Sequence, residues 1–201
     1  MSTGTSSRQH HKPQCGPGRP RAFDEATALK AALELFWRQG YEASSIAALT
    51  EAMGISRSSF YGCFGSKHDV LMAALQSYSD AAYAALSQMA DGPAAEAVPR
   101  MITALADPTG GERGCMFANT VSEVAPHAPD VADLSRRHLA RIEALFARAL
   151  SPDDPDGAAD RAGAIVALGL GIIVLRKAGV PSARLEAMLD QGRALIGTQA
   201  S

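Results

Sequence analysis

Leu29, Leu33, Phe36 and Trp37 recur at helical spacing and stop at Gly40, which predicts a helix over about 25–39. Phe23 and Asp24 in front of it read as a hydrophobic staple and an N-cap. Ile46, Leu49, Thr50 and Met53 follow behind Ser44 or Ser45 as N-cap, a second helix of about eight residues. "GIS" then turns the chain and leaves Ser56 to cap what comes next. From Arg57 the apolar pair Phe60 and Phe64, spaced i, i+4, buries one face of a third short helix and turns Arg57, Ser58 and Tyr61 outward. Helices this short are marginal alone, so both must pack on the first through Leu49, Met53, Ile55, Phe60 and Phe64. Three packed helices with a glycine turn make a helix-turn-helix, the motif itself over about 44–64.

Lys67 to about Ala90 reads as a long helix carrying Val70, Leu71, Leu75, Tyr78 and Tyr83. Further helices are predicted at roughly 94–106, 114–125, 128–150, 157–179 and 182–197, separated by clusters such as "DPTGGERG" and "SPDDPDG". The expectation is an all-α protein of nine helices: an N-terminal helix-turn-helix domain over 18–68, then a helical effector-binding and dimerisation domain over 69–201. Composition agrees, since 47% of the residues are hydrophobic and β-branched residues are sparse. Residues 1–17 are mostly Ser, Gly, Pro, Gln and His and are expected to be a disordered tail.

Charge changes the picture more than composition does. The net −2 hides +3 over residues 1–68 and −5 over residues 69–201, so the N-terminal third suits a polyanion. Cys15, Cys63 and Cys115 are widely spaced, without the pattern of a disulfide framework or a zinc finger. No apolar leader is visible at the N-terminus, and the uncharged run from Ala162 to Leu175 is shorter than a bilayer span, so no membrane partner is expected and the protein reads as cytoplasmic. Paired catalytic carboxylates, a nucleophile elbow and a phosphate-cradling glycine loop are missing, which argues against an enzyme and against a bound cofactor.

In a helix-turn-helix the second short helix enters the major groove while its neighbours grip phosphates. Arg57 can pair with guanine or phosphate, Ser58 and Ser59 with either, and Tyr61 and Lys67 with phosphate oxygens. Ser44 and Ser45 would add hydroxyls and backbone amides at the start of the second helix. "GRPR" supplies Arg19 and Arg21 as an arm for a narrow minor groove, or as a flexible tail that adds affinity without reading sequence. The competing interpretation of the whole stretch is a solvated polar face on a small bundle.

"GRPRAFDEATALKAALELFWRQGYEASSIAALTEAMGISRSSFYGCFGSKHDVL" resembles the DNA-binding domain of the TetR family of bacterial transcriptional regulators, over roughly Gly18 to Tyr78. The resemblance implies a two-fold dimer on a palindromic double-stranded operator, most often a repressor, released when a small molecule binds a divergent C-terminal domain. It also implies that Ser44, Ser45, Arg57, Ser58, Ser59, Tyr61 and Lys67 face DNA. Many members carry a bulky residue and a histidine where this chain has Gly62 and Cys63.

"RAGAIVALGLGIIVLRKAG" is apolar nearly all round and interrupted by Gly163, Gly169 and Gly171. With the last helix, carrying Leu185, Met188, Leu189 and Leu195, it could build a four-helix homodimer interface, the place the resemblance also implies; a central core helix is the alternative. Met89, Met101, Leu105, Cys115, Met116, Phe117, Asn119 and His127 could line an effector pocket or simply be core. Cys115, Phe117 and Asn119 are singled out because "RGCMFANT" places the thiol in the first turn of a helix beside Arg113. These surroundings resemble an electrophile- and redox-sensing branch of the family, which makes a sensor thiol the alternative to a buried hydrophobe. A metal site from Glu123, His127, Asp130 and His138 is not expected, because two prolines in "EVAPHAPD" break any shared helical face. A helical dimerisation module without sequence-specific DNA binding is the other function class left open.

Overall fold

The computed structural model describes residues 23–106 and 113–197; the N-terminal tail with Cys15, the arm residues Arg19 and Arg21, and the Leu195 side chain lie outside the described residues. Among the described residues there are nine α-helices and no strand. They are α1 (Glu25–Gln39), α2 (Ile46–Met53), α3 (Arg57–Phe64), α4 (Lys67–Met89), α5 (Ala94–Ala106), α6 (Met116–Glu123), α7 (Pro129–Leu150), α8 (Ala159–Lys177) and α9 (Ser182–Gly197).

The first four helices start on side-chain caps. Asp24, Ser45, Ser56 and Ser66 each accept from a backbone N–H three residues on, satisfying an amide that a helix start leaves without a partner. Gly54 ends α2 in the left-handed conformation at φ 65°, and its N–H reaches back to the last carbonyls of that helix. That turn sets α3 across α2. α6 differs from expectation: it begins at Met116 rather than near 114 and has no side-chain cap, Cys115 taking the N-cap position.

Two apolar cores share α4. One joins Leu35, Phe36, Leu49, Phe60 and Phe64 of the first three helices to Val70, Leu71 and Leu75 of α4, Phe117 of α6 and Leu134 of α7. The other packs Leu86 of α4 with Ile102, Ile142, Phe146, Ile165, Ile172 and Leu185 from α5, α7, α8 and α9. The helix-turn-helix head is therefore welded to α4, α6 and α7 by continuous packing.

Residues Asp156–Lys177, which contain α8, are long and apolar enough by length and composition to cross a bilayer, with mean hydropathy 1.8. The uncharged run counted in the sequence is shorter because this window tolerates charges at its ends. In the structure the helix packs between α5, α7 and α9 and buries Ala162, Ile165, Val166, Gly169, Ile172 and Ile173. Gly169 lets α5 approach, since a Cβ there would lie 2.7 Å from Leu105 Cδ2. Gly163 and Gly171 have open space at that position instead.

Candidate nucleic-acid interface and effector cavity

α3 buries Phe60 completely and Phe64 almost so, which fixes which face turns to solvent. That face carries Arg57, Ser58, Gly62 and Tyr61, the last half exposed with its ring edge-on to Phe60 at 5.4 Å between centroids. Gly62 has nothing within 4 Å of where a Cβ would stand, so no packing demand inside the described chain accounts for its small size. Ser56 Oγ accepts from Ser59 N at 3.1 Å and lies 2.9 Å from both the Ser58 and Ser59 hydroxyls. Ser59 is half-buried in this cap, while Ser58 is exposed.

Ser44 does not join the exposed face. Its side chain is fully buried, donating to the Gly40 carbonyl at 2.6 Å and accepting from Gln39 Nε2 at 3.2 Å, so it closes the α1–α2 turn. Ser45 alone takes the capping position, accepting from Ala48 N at 3.1 Å, and is exposed. Lys67 stands at the start of α4 with its ammonium 4.2 Å from the Tyr41 ring centroid and donating to the Glu42 carbonyl at 3.4 Å.

Behind the head a cavity of about 450 Å³ opens where the two cores meet. α4 contributes Tyr78, Ala82 and Met89, α5 Leu105, α6 Phe117 and its N-cap Cys115, α7 His138 and Ile142, and α8 Leu170, while Trp37 reaches in from α1. Cys115 and Phe117 of the predicted effector residues are brought together here. Asn119 is not: it lies two residues beyond Phe117 on another side of α6, where its amide donates to the Arg113 carbonyl and its oxygen accepts from Lys177 Nζ at 2.8 Å. Met101, Met116 and His127 are absent from the lining as well.

The surroundings expected of a sensor thiol are only partly present. Cys115 is buried and accepts from the Tyr78 hydroxyl at a long 3.9 Å. Arg113, expected beside it, turns its guanidinium to the Glu34 carboxylate and to the Trp37 ring.

Tyr78, Trp37 and His138 are among the lining residues that the sequence does not assign to a pocket. His138 falls in register with Val131, Leu134, Ile142 and Leu145, the buried stripe of α7, and that period is the available signal. Its Nδ1 lies 2.9 Å from Ser79 Oγ, and its ring stacks on Phe117 at 4.2 Å between centroids. Burial, and secondly the charge of Arg141, push its pKa down from 6.5 to about 4. A histidine depressed in this way costs nothing above the unfolded value, where both states are neutral, and destabilises the fold progressively as pH falls from 6.5 towards 4, because the unfolded chain takes up the proton first. Urea unfolding is expected to show stability declining across that window, and His138→Gln should flatten the decline. Asp130, held below the usual carboxylate range chiefly by its hydrogen bond from His68, and Asp80, held down by Arg141, act in a lower window.

α6 joins the cavity to the head. Its last residue, Glu123, accepts from Tyr41 N at 3.0 Å and from Glu42 N at 2.9 Å, gripping the α1–α2 turn with both carboxylate oxygens. Gly40, at φ 86°, makes room for this carboxylate: a Cβ there would stand 3.0 Å from Glu123 Oε1. Trp37 Nε1 donates to the Arg113 carbonyl at 3.1 Å, a second tie between α1 and the segment leading into α6.

The profile of the family described as "Bacterial regulatory proteins, tetR family" matches residues 28–74. The HTH-type transcriptional regulator YezE of Bacillus subtilis (strain 168) is 33% identical over 135 residues, 64% of this chain and 69% of that protein. The TetR family transcriptional regulator CifR, solved as a cysteine mutant with 26-base-pair operator DNA, superposes with TM-score 0.74 at 30% identity, over 87% of this chain and 97% of its own. The chain belongs to the TetR family of transcriptional regulators. The HTH-type transcriptional repressor ComR of Escherichia coli (strain K12) is a further relative of this TetR-family regulator, 33% identical over 60% of this chain and 61% of ComR.

Proposed function

We propose that this TetR-family regulator is a cytoplasmic homodimeric repressor that holds a palindromic operator through α3 and leaves it when a small molecule occupies the cavity. The observation that carries the reading is the two-faced α3: Phe60 and Phe64 locked in the core, Arg57, Ser58 and Tyr61 presented outward from a serine-capped start. In this reading residues 18–68 form the DNA-binding domain and 69–201 the effector-binding and dimerisation domain. Ser58 and Arg57 face base edges, while Ser45, Ser59, Tyr61 and Lys67 approach phosphates, with Arg19 and Arg21 as a minor-groove arm. CifR was solved on operator DNA and ComR is named a repressor, which supports the assignment.

Dimerisation is supported by the outer face of α8. Ala164, Ala167, Gly171 and Val174 are exposed there in helical register, and Val174 is 56% exposed although apolar. For a dimer joined through two such faces to hold a palindrome, its recognition helices must stand one DNA turn, roughly 34 Å, or a multiple of it, apart.

The test uses an operator recovered by selecting bound duplexes from a random pool. Arg57→Ala combined with Tyr61→Phe is expected to weaken operator binding about ten- to a hundredfold and to reduce the dependence of log K on log salt by about one unit for each phosphate that is no longer neutralised. Unaltered affinity and an unaltered salt slope would contradict the assignment of α3.

A further inference from the structure

The groups that face the cavity carry no formal charge. Among the described residues no Asp, Glu, Lys or Arg lines it. Arg141, the cation that acts on His138, lies outside: its guanidinium pairs with Asp80 at 2.6 Å and stacks over the Tyr83 ring at 4.0 Å. His138 itself is neutral at pH 7. An anion entering here would lose its hydration and meet no cation, and a cation would meet no carboxylate.

Polar character is concentrated at one place in the lining. Tyr78 keeps its proton, because burial raises its phenol well above the usual value, and among the described residues it donates only to the Cys115 sulfur at 3.9 Å. Sulfur is a weak acceptor, and at this distance the bond is poor. A ligand oxygen would be a better acceptor for the same O–H. Beside it, Ser79 engages Nδ1 of His138, and no described residue bonds Nε2, which remains a second neutral polar group on the wall. Elsewhere the lining is aliphatic or aromatic, as at Leu105, Leu139 and Ile142.

We infer that the cavity selects a neutral, mainly apolar molecule with one hydrogen-bond-accepting oxygen, a ketone being the simplest case, which takes the Tyr78 proton away from Cys115. The inference rests on reading the cavity as the effector site. Its volume, about 450 Å³, is within the range of small-molecule pockets.

Trp37, the single tryptophan of the chain, lines the cavity and reports occupancy by its fluorescence. The full-length dimer is titrated at pH 7 with four probes of matched size: benzylacetone, butylbenzene, hydrocinnamate and phenylpropylammonium. Benzylacetone is expected to bind about tenfold more tightly than either ion, and severalfold more tightly than the hydrocarbon. Tyr78→Phe should erase the advantage of the ketone over butylbenzene while butylbenzene still binds, which shows the cavity intact. Cys115→Ser, which gives the Tyr78 proton a stronger oxygen acceptor, should weaken the ketone and leave the hydrocarbon unchanged. An ion that binds as tightly as the ketone overturns the neutral-ligand inference but leaves the cavity a ligand site. Failure of all four probes to bind the folded protein overturns both.

Discussion

Phe60→Ala is expected to abolish operator binding even though Phe60 cannot touch DNA. The ring is completely buried and packs against Phe64 and under Tyr61. Its removal should cost about 3–5 kcal/mol, the usual range for emptying an aromatic core site. α3 has only eight residues and contributes little stability of its own, so the cost falls on the docking of this one helix. A reading face that is not held cannot be complementary to a groove. Phe60→Leu, which keeps most of the volume, should retain measurable binding. Amide exchange provides the check: α3 amides should lose protection in Phe60→Ala while those of α8 keep more of theirs. Wild-type operator affinity in Phe60→Ala would refute the view that core packing presents the recognition face.

The head is legible in the sequence because its punctuation is local. Asp24, Ser45, Ser56 and the glycines at 40 and 54 each act on backbone within a few residues of themselves, so the ends of α1, α2 and α3 follow from short stretches. What the sequence cannot decide is which of two adjacent serines caps α2. Either hydroxyl fits the rule, and only the folded α1–α2 turn, where Ser44 reaches the Gly40 carbonyl, assigns the cap to Ser45. α6 starts about two residues later than the sequence suggests because no capping side chain marks its first turn.

The cavity is less legible, for a different reason. Helical period shows that Tyr78, Phe117 and His138 turn inward, but a void is a property of how six helices meet, and no single period records it. Adjacency to Phe117 brings Asn119 under suspicion, whereas two residues along a helix point to different sides. The same limit hides Glu123. Its partners, Tyr41 and Glu42, lie some eighty residues away, and a carboxylate near a helix end reads in sequence as a solvated charge.

Glu123→Ala is therefore expected to separate ligand binding from DNA release. The carboxylate is the rigid end of a short rod whose other end, Cys115 and Phe117, forms part of the cavity wall. In the proposed reading, a shift of α6 on ligand entry would pass to the α1–α2 turn through these two charge-assisted hydrogen bonds, and through α2 to α3, which packs against it. The turn is exposed, so water can satisfy the two amides in the variant and the fold should lose only about 1 kcal/mol. Operator affinity without ligand should stay within about threefold of wild type, and benzylacetone should still quench Trp37. What should disappear is most of the coupling, the factor by which a saturating ligand weakens operator binding, commonly about 5- to 150-fold in allosteric proteins. Glu123→Gln keeps one acceptor oxygen and should fall between the two. Operator titrations with and without benzylacetone give the coupling factor directly. If it survives intact in Glu123→Ala, the signal travels instead along α4, where His68 of its first turn meets Asp130 of α7 at 2.6 Å, and double substitution with His68→Ala should then remove it.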